Sequence, residues 1–228
     1  MRRAATAALC VVLAACTGPG PGEPPPGETV RFTTGDGVEL VGDLHGDGDV
    51  GVILLHMFQS DRTAWSSFAA LLADEGFTAL TFDFRGYGDS GGDRVVEDIW
   101  RDALAAVRFM RGRGFDRIIL VGASMGGTAA LVVAAREGLE AVVTLSAASS
   151  FMGLSIPPEA VELIEEPKLF VAAQGDSPAA VTAQQLYAAA PPPKKVEVVS
   201  GSDHGIDLVE GQRAEAVRRL VVRFLSEV

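Results

Sequence analysis

From residue 29 onward the chain alternates short apolar runs with amphipathic stretches. Val30–Thr34 and Val38–Leu44 read as strands meeting at Gly35-Asp36-Gly37, a hairpin signal. Six more strands are predicted at Val52–His56, Phe77–Phe84, Arg117–Val121, Ala141–Leu145, Lys168–Ala173 and Lys195–Val199. Several of these are apolar without alternation, as strands covered on both faces are. Between them lie helical stretches. Ser66–Glu75 places Phe68, Leu71 and Leu72 on one face and stops at Gly76. Val96–Met110 carries Ile99, Ala103, Ala106, Val107 and Met110 at core spacing. Gly126–Arg136, Ala179–Ala189 and a closing amphipathic Gln212–Val228 complete the set. Eight strands with intervening helices predict an α/β fold, a mostly parallel sheet with helices on both faces. No internal repeat or second domain boundary is visible. Ser146–Glu166 reads as mostly irregular, broken by Pro157-Pro158, with one short helix over Glu159–Glu166.

The N-terminus has another pattern. Arg2-Arg3 precede an apolar stretch, Ala4–Ala15, too short to span a bilayer, that ends in Leu13-Ala14-Ala15-Cys16. This resembles the lipobox of bacterial lipoproteins. The resemblance implies cleavage before Cys16, a lipid on Cys16, membrane attachment through that lipid, and export to the cell envelope. Gly18–Gly27 (GPGPGEPPPG) is a Pro/Gly tether that cannot build a core. The division is therefore signal 1–15, lipidated tether 16–28 and folded domain 29–228.

Composition narrows the function. Both cysteines, Cys10 and Cys16, lie in this leader, so the domain has no thiol. That removes a disulfide framework and a cysteine-ligated metal site. Only three histidines remain, and no metal or organic cofactor is expected. With 19 basic and 30 acidic residues the net charge is −11, and no basic run stands out. This argues against a nucleic-acid partner and against electrostatic adhesion to anionic lipid. Oligomeric state is not legible.

The chemistry is concentrated at Ile118–Gly127, a β-branched run followed by Gly122-Ala123-Ser124-Met125-Gly126 and a helix. A serine hydroxyl is a weak nucleophile and must be presented to a base and a substrate together. A sharp strand-to-helix turn lifts Ser124 above the sheet edge, and only small residues fit two positions to either side. The following helix N-terminus aims free N–H groups at developing negative charge.

With these residues the chain resembles the α/β-hydrolase family over Val30–Val228. His56-Met57-Phe58 stands where the family has its oxyanion loop. Asp83-Phe84-Arg85-Gly86-Tyr87-Gly88-Asp89-Ser90 resembles the loop after the fourth strand. Ser202-Asp203-His204-Gly205 follows the last strand, where the family places its histidine. The resemblance implies that Ser124 is the nucleophile, His204 the base and Asp176 the acid that orients it, in the family's chain order. Asp203 is the rival acid, but neighbouring side chains in a loop diverge. Backbone N–H groups of Phe58 and Met125 form the expected oxyanion hole. Met57 replaces the usual glycine and implies a different backbone path there. The short segment after Ala147 implies no cap domain, so the chain is similar to the compact, lidless, dienelactone-hydrolase-like branch. That branch often uses cysteine where this chain has serine.

The expected activity is hydrolysis of small or medium carboxylic esters through an acyl-enzyme. Thioester or amide cleavage and acyl transfer use the same machinery, and a non-catalytic binding lipoprotein is the reading from another class. Met57, Phe151 and Met152 are the expected pocket residues; Phe151, Met152, Leu154 and Ile156 read equally as lining an acyl or alcohol pocket or as core packing. His56 is expected to fix its loop by hydrogen bonds, His45 to lie in an early turn, and Arg85 to anchor its loop to Asp83 or Asp89. Trp65 and Trp100 read as packing residues.

Overall fold

The computed structural model describes residues 27–211 and 213–228. The lipobox, Cys16 and most of the tether lie outside the described residues. The domain begins with β1 (Glu28–Thr33), whose first residue is the last one assigned to the tether, and β2 (Glu39–His45). They form the expected antiparallel hairpin, Val30 opposite Gly42. His45 closes β2 rather than lying in a turn. Then come β3 (Val50–Leu55), a 3₁₀ turn at Arg62–Trp65, α1 (Ser66–Asp74) and β4 (Thr78–Phe82). A second 3₁₀ turn at Val96–Asp98 leads into α2 (Ile99–Gly112), followed by β5 (Arg117–Ala123), α3 (Met125–Ala134) and β6 (Ala141–Leu145).

The segment expected to be irregular holds a two-stranded hairpin, β7 (Ser150–Phe151) with β8 (Leu154–Ser155), and a helix, α4 (Pro158–Val161), shorter than expected. The chain closes with β9 (Lys168–Ala173), α5 (Ser177–Ala189), β10 (Lys194–Val199), α6 (Asp207–Glu210) and α7 (Ala214–Glu227).

Eight strands make one sheet in the order β1-β2-β4-β3-β5-β6-β9-β10. The pairs from β4 through β10 are parallel; β1 and β2 are antiparallel at one edge. Two apolar layers sandwich it. One joins the sheet to α2, α3, α4 and α5, the other to α1, α6 and α7. α3 is buried on every face, as an unrelieved apolar helix at the centre of the stack must be.

The connections decide where a ligand goes. From β3 the chain passes through α1 on one face to β4. From β4 it passes through α2 on the other face to β5, on the far side of β3. The strand order therefore reverses at β3, and the loops leaving β3 and β5 part at their carboxyl ends. In open α/β sheets such a switch point forms the binding crevice.

Candidate active site

Ser124 sits between β5 and α3 at φ 50°, ψ −116°, a left-handed conformation that costs a non-glycine residue roughly 1–3 kcal/mol. Its N–H donates to Leu145 O at 2.8 Å, and its carbonyl accepts from Thr128 N–H at 3.1 Å. The flanking glycines are steric necessities. A Cβ on Gly122 would fall on the Gly126 carbonyl, and a Cβ on Gly126 would fall on the Leu55 carbonyl at the end of β3. The turn is thus wedged against the neighbouring strand, which keeps a strained serine in place.

The loops after β9 and β10 bring the two other side chains to it. They are laced together by Gln174 N–H to Val199 O (2.8 Å) and Gly175 N–H to Gly201 O (2.7 Å). Asp176 stands at the cap position of α5, yet its carboxylate makes no capping bond. It faces His204 instead, with Nδ1 2.6 Å from Oδ2. On the other side of the ring, Nε2 lies 2.9 Å from Ser124 Oγ. A carboxylate at Nδ1 holds the proton there and leaves Nε2 to accept from the hydroxyl. The Asp176 side chain is 13% exposed and that of His204 46%, so the acid is sheltered while the ring is open to water. No hydrogen bond joins Asp203 to His204 among the described residues.

The loop after β3 is fixed from beneath. His56 is fully buried; its Nδ1–H donates to Met57 O at 2.8 Å, and its Nε2 accepts from Phe84 N–H at 3.1 Å. Burial pushes its pKa below the ordinary histidine value, consistent with a neutral ring in that tautomer. The expected fixing role is what this geometry performs. Met57 is not among the non-glycine residues with positive φ, which explains why methionine is tolerated where glycine is usual. Phe58 N–H has no hydrogen-bond partner among the described residues, and Met125 is the first residue of α3, where the N–H lacks a helical acceptor.

Arg85 departs from expectation. It binds Asp102 (Nε to Oδ1, 2.8 Å) and Asp36 (Nη1 to Oδ2, 2.9 Å), not Asp83 or Asp89. Those two carboxylates belong to Arg62, which also binds Asp43 at 2.7 Å. The reason is topological. Arg85 follows β4 and turns toward α2, which carries Asp102. Arg62 rises from the β3 loop across the ends of β2 and β4. The Arg85 guanidinium on Asp36 holds that carboxyl well below the usual carboxylate range.

Of the expected pocket residues, Met57 is half-buried beside Gly205, and Phe151 packs edge-to-face on Phe58 with ring centroids 5.3 Å apart. Met152, at the tip of the β7–β8 hairpin, is 61% exposed. Leu154 and Ile156 are buried in the core, as are Trp65 and, in part, Trp100.

Comparison with known proteins then decides the family. The model of the serine aminopeptidase (S33) hydrolases matches residues 49–166, just over half of the chain. The chain belongs to this family of α/β hydrolases. It is similar to the uncharacterised protein YfhR of Escherichia coli O157:H7, at 26% identity over 87% of this chain and 80% of that protein. It also resembles the human serine hydrolase BPHL, at 36% identity over 44% of this chain and 36% of that protein. An esterase of Pyrococcus furiosus shares the fold with a TM-score of 0.76, at 22% identity over 87% of this chain and 89% of that one.

In this hydrolase no cap domain is evident between β6 and β9. Among the described residues no three His, Cys, Asp or Glu side chains converge to hold a metal ion, and no helix is long and apolar enough to cross a membrane. Two neighbours of the site escape sequence reasoning. The β7–β8 hairpin that carries Phe151 has strands of only two residues. Arg62, which ties the loop after β3 to the loop after β4, has partners 19 to 27 positions away and no local signal.

Proposed function

We propose that this hydrolase cleaves small or medium carboxylic esters with Ser124 as nucleophile, His204 as general base and acid, and Asp176 as the residue that orients His204. The observation that carries the reading is the unbroken line Asp176 Oδ2–His204–Ser124 Oγ, with contacts of 2.6 and 2.9 Å. Ser124 Oγ attacks the ester carbonyl while its proton passes to His204 Nε2. The negative charge moves to the carbonyl oxygen, where the Phe58 and Met125 N–H groups receive it; one such donor is worth roughly 3 kcal/mol in the transition state. Collapse breaks the bond to the alcohol, which leaves with the proton from Nε2. Water then repeats the sequence, losing a proton to His204, attacking the acyl carbon and releasing the acid and free Ser124. Asp176 stabilises the imidazolium formed at both stages. The open face of His204 favours water as the second acceptor, so hydrolysis is preferred over acyl transfer.

The lidless site and the esterase and serine hydrolase among similar proteins support an ester substrate. The test is proton release from ethyl butyrate and ethyl acetate at constant pH. Wild type should turn over and Ser124→Ala should not, at equal folding. Undiminished turnover by Ser124→Ala would end the proposal. We also propose that the domain is exported and held at the cell envelope by a lipid on Cys16. Cys16→Ser should then move the protein from the membrane to the soluble fraction, and unchanged sedimentation with membranes would refute the anchor.

A further inference from the structure

The loop after β3 builds two walls, with Met57 in one apolar layer and Phe58 in the other. On one side, a Cβ built on Gly205 would lie 2.9 Å from Met57 Sδ, 3.6 Å from Ala123 Cβ and 3.7 Å from Ser124 Cβ. The thioether, the Gly205 backbone and the nucleophile thus crowd a single small space. Met57 cannot easily leave it. Its carbonyl is tied to buried His56, and its side chain packs into the apolar layer shared with α1 and α7. On the other side, Phe58 and Phe151 meet edge-to-face in the opposite layer, and the Met152 tip stands open to solvent.

Acyl transfer assigns these walls to different parts of an ester. His204 Nε2 must hand its proton to the departing oxygen, so the alcohol lies on the side of His204 and Gly205. That is the Met57 side. The acyl chain runs the other way, toward the aromatic pair. Building on the ester-hydrolase reading above, we infer that Met57 limits the size of the leaving group. The enzyme takes esters of small unbranched alcohols and lodges an apolar acyl chain against Phe58 and Phe151. A branched alcohol would have to displace a thioether held by packing, and overfilling a close-packed site is unfavourable.

The test is kcat/KM for methyl, ethyl, isopropyl and tert-butyl butyrate, each divided by its alkaline hydrolysis rate to remove intrinsic reactivity. Wild type should lose at least 100-fold between ethyl and tert-butyl. Met57→Ala should raise the tert-butyl to ethyl ratio at least tenfold, whereas Met57→Leu, with similar bulk, should keep the wild-type ratio. Phe151→Ala should leave the alcohol ratio alone and lower the hexanoate to acetate ratio of ethyl esters. A flat normalised series in wild type, or an alcohol ratio unmoved by Met57→Ala, would overturn the inference while ester hydrolysis stands. Absence of turnover on every ester would overturn both. Should Met57→Ala not fold, Met57→Val carries the same readout with an expected threefold change.

Discussion

At the carboxyl edge of the parallel strands a serine is held in a left-handed conformation between glycines that admit no side chain, and three polar side chains align across loops from three strands. The amino edge of the same strands is built differently. A cavity of about 690 Å³ opens there among Glu28, Asp47, Asp49, Arg113, Phe115 and Arg117. Its arginines already have partners: Arg113 lies 3.6 Å from exposed Glu28 in the cavity itself, and Arg117 binds Glu140 at 3.0 Å and the Val228 carbonyl at 2.6 Å. This cavity therefore gathers surface charges, the arginines among them already partnered. At the carboxyl edge, backbone strain, close approach and charge are held together by the sheet's switch point, whereas the amino edge carries paired surface charges. That cavity and the aligned Asp176, His204 and Ser124 side chains lie at opposite ends of the same strands.

Substitutions at the two edges should differ in effect accordingly. The largest effect should come from Asp176→Asn, which leaves shape intact but lets the His204 ring take the wrong tautomer. We expect kcat to fall about 10⁴-fold. Asp203→Asn, one residue from the histidine but not bonded to it, should stay within a few-fold of wild type. The two kcat values measured side by side check the assignment, and equal losses would dissolve it.

Next comes the strain itself. Gly126→Val would drive a side chain into the Leu55 carbonyl, and we expect a loss of about 3 kcal/mol in chemical denaturation. A loss under about 0.5 kcal/mol would mean the elbow is not wedged against β3.

A smaller effect is expected from pH. Burial lowers the pKa of His56 in the folded state. Between that value and the unfolded value of about 6.5, the unfolded chain binds more protons. Stability therefore rises with pH across this window and is lost as pH falls below about 6.5, by at most ~1.4 kcal/mol per pH unit. Half-buried His45 shifts in the same direction and adds its own share. His56→Gln should flatten the slope of unfolding free energy between pH 5 and 7 without removing it. An unchanged slope would show that His56 is not the buried neutral group described.

The smallest effect belongs to the amino edge. Arg113→Gln should change stability by less than about 0.5 kcal/mol, since its partner is exposed, and leave kcat/KM as it was. A tenfold loss of activity there would erase the distinction between the two ends.

Much of the carboxyl edge is legible in the amino-acid sequence. The parallel strands announce themselves because burial on both faces leaves continuous apolar runs, as in Val52–Leu55 and Ala141–Leu145. The turn at Ser124 is legible because its steric demands act on residues two positions away. Relations that bridge long stretches of chain are not. Arg85 reaches Asp36 and Asp102, and Arg62 reaches Asp43, Asp83 and Asp89, through choices that depend on which face each connection crosses. The β7–β8 hairpin is invisible because two-residue strands carry no period. Its turn also places Met152 at φ 47°, where sequence preference favours glycine or asparagine. Only that hairpin separates Phe151, which reaches Phe58, from Leu154 and Ile156, which face the core.

If the carboxyl edge holds a working nucleophile, Ser124 should react as one. The direct measurement is covalent capture by a fluorophosphonate, followed by mass mapping of the modified peptide. The folded protein should gain one adduct, on Ser124, and should lose it in His204→Ala and on denaturation. A folded protein that takes no adduct, or takes it on another serine, would contradict the account.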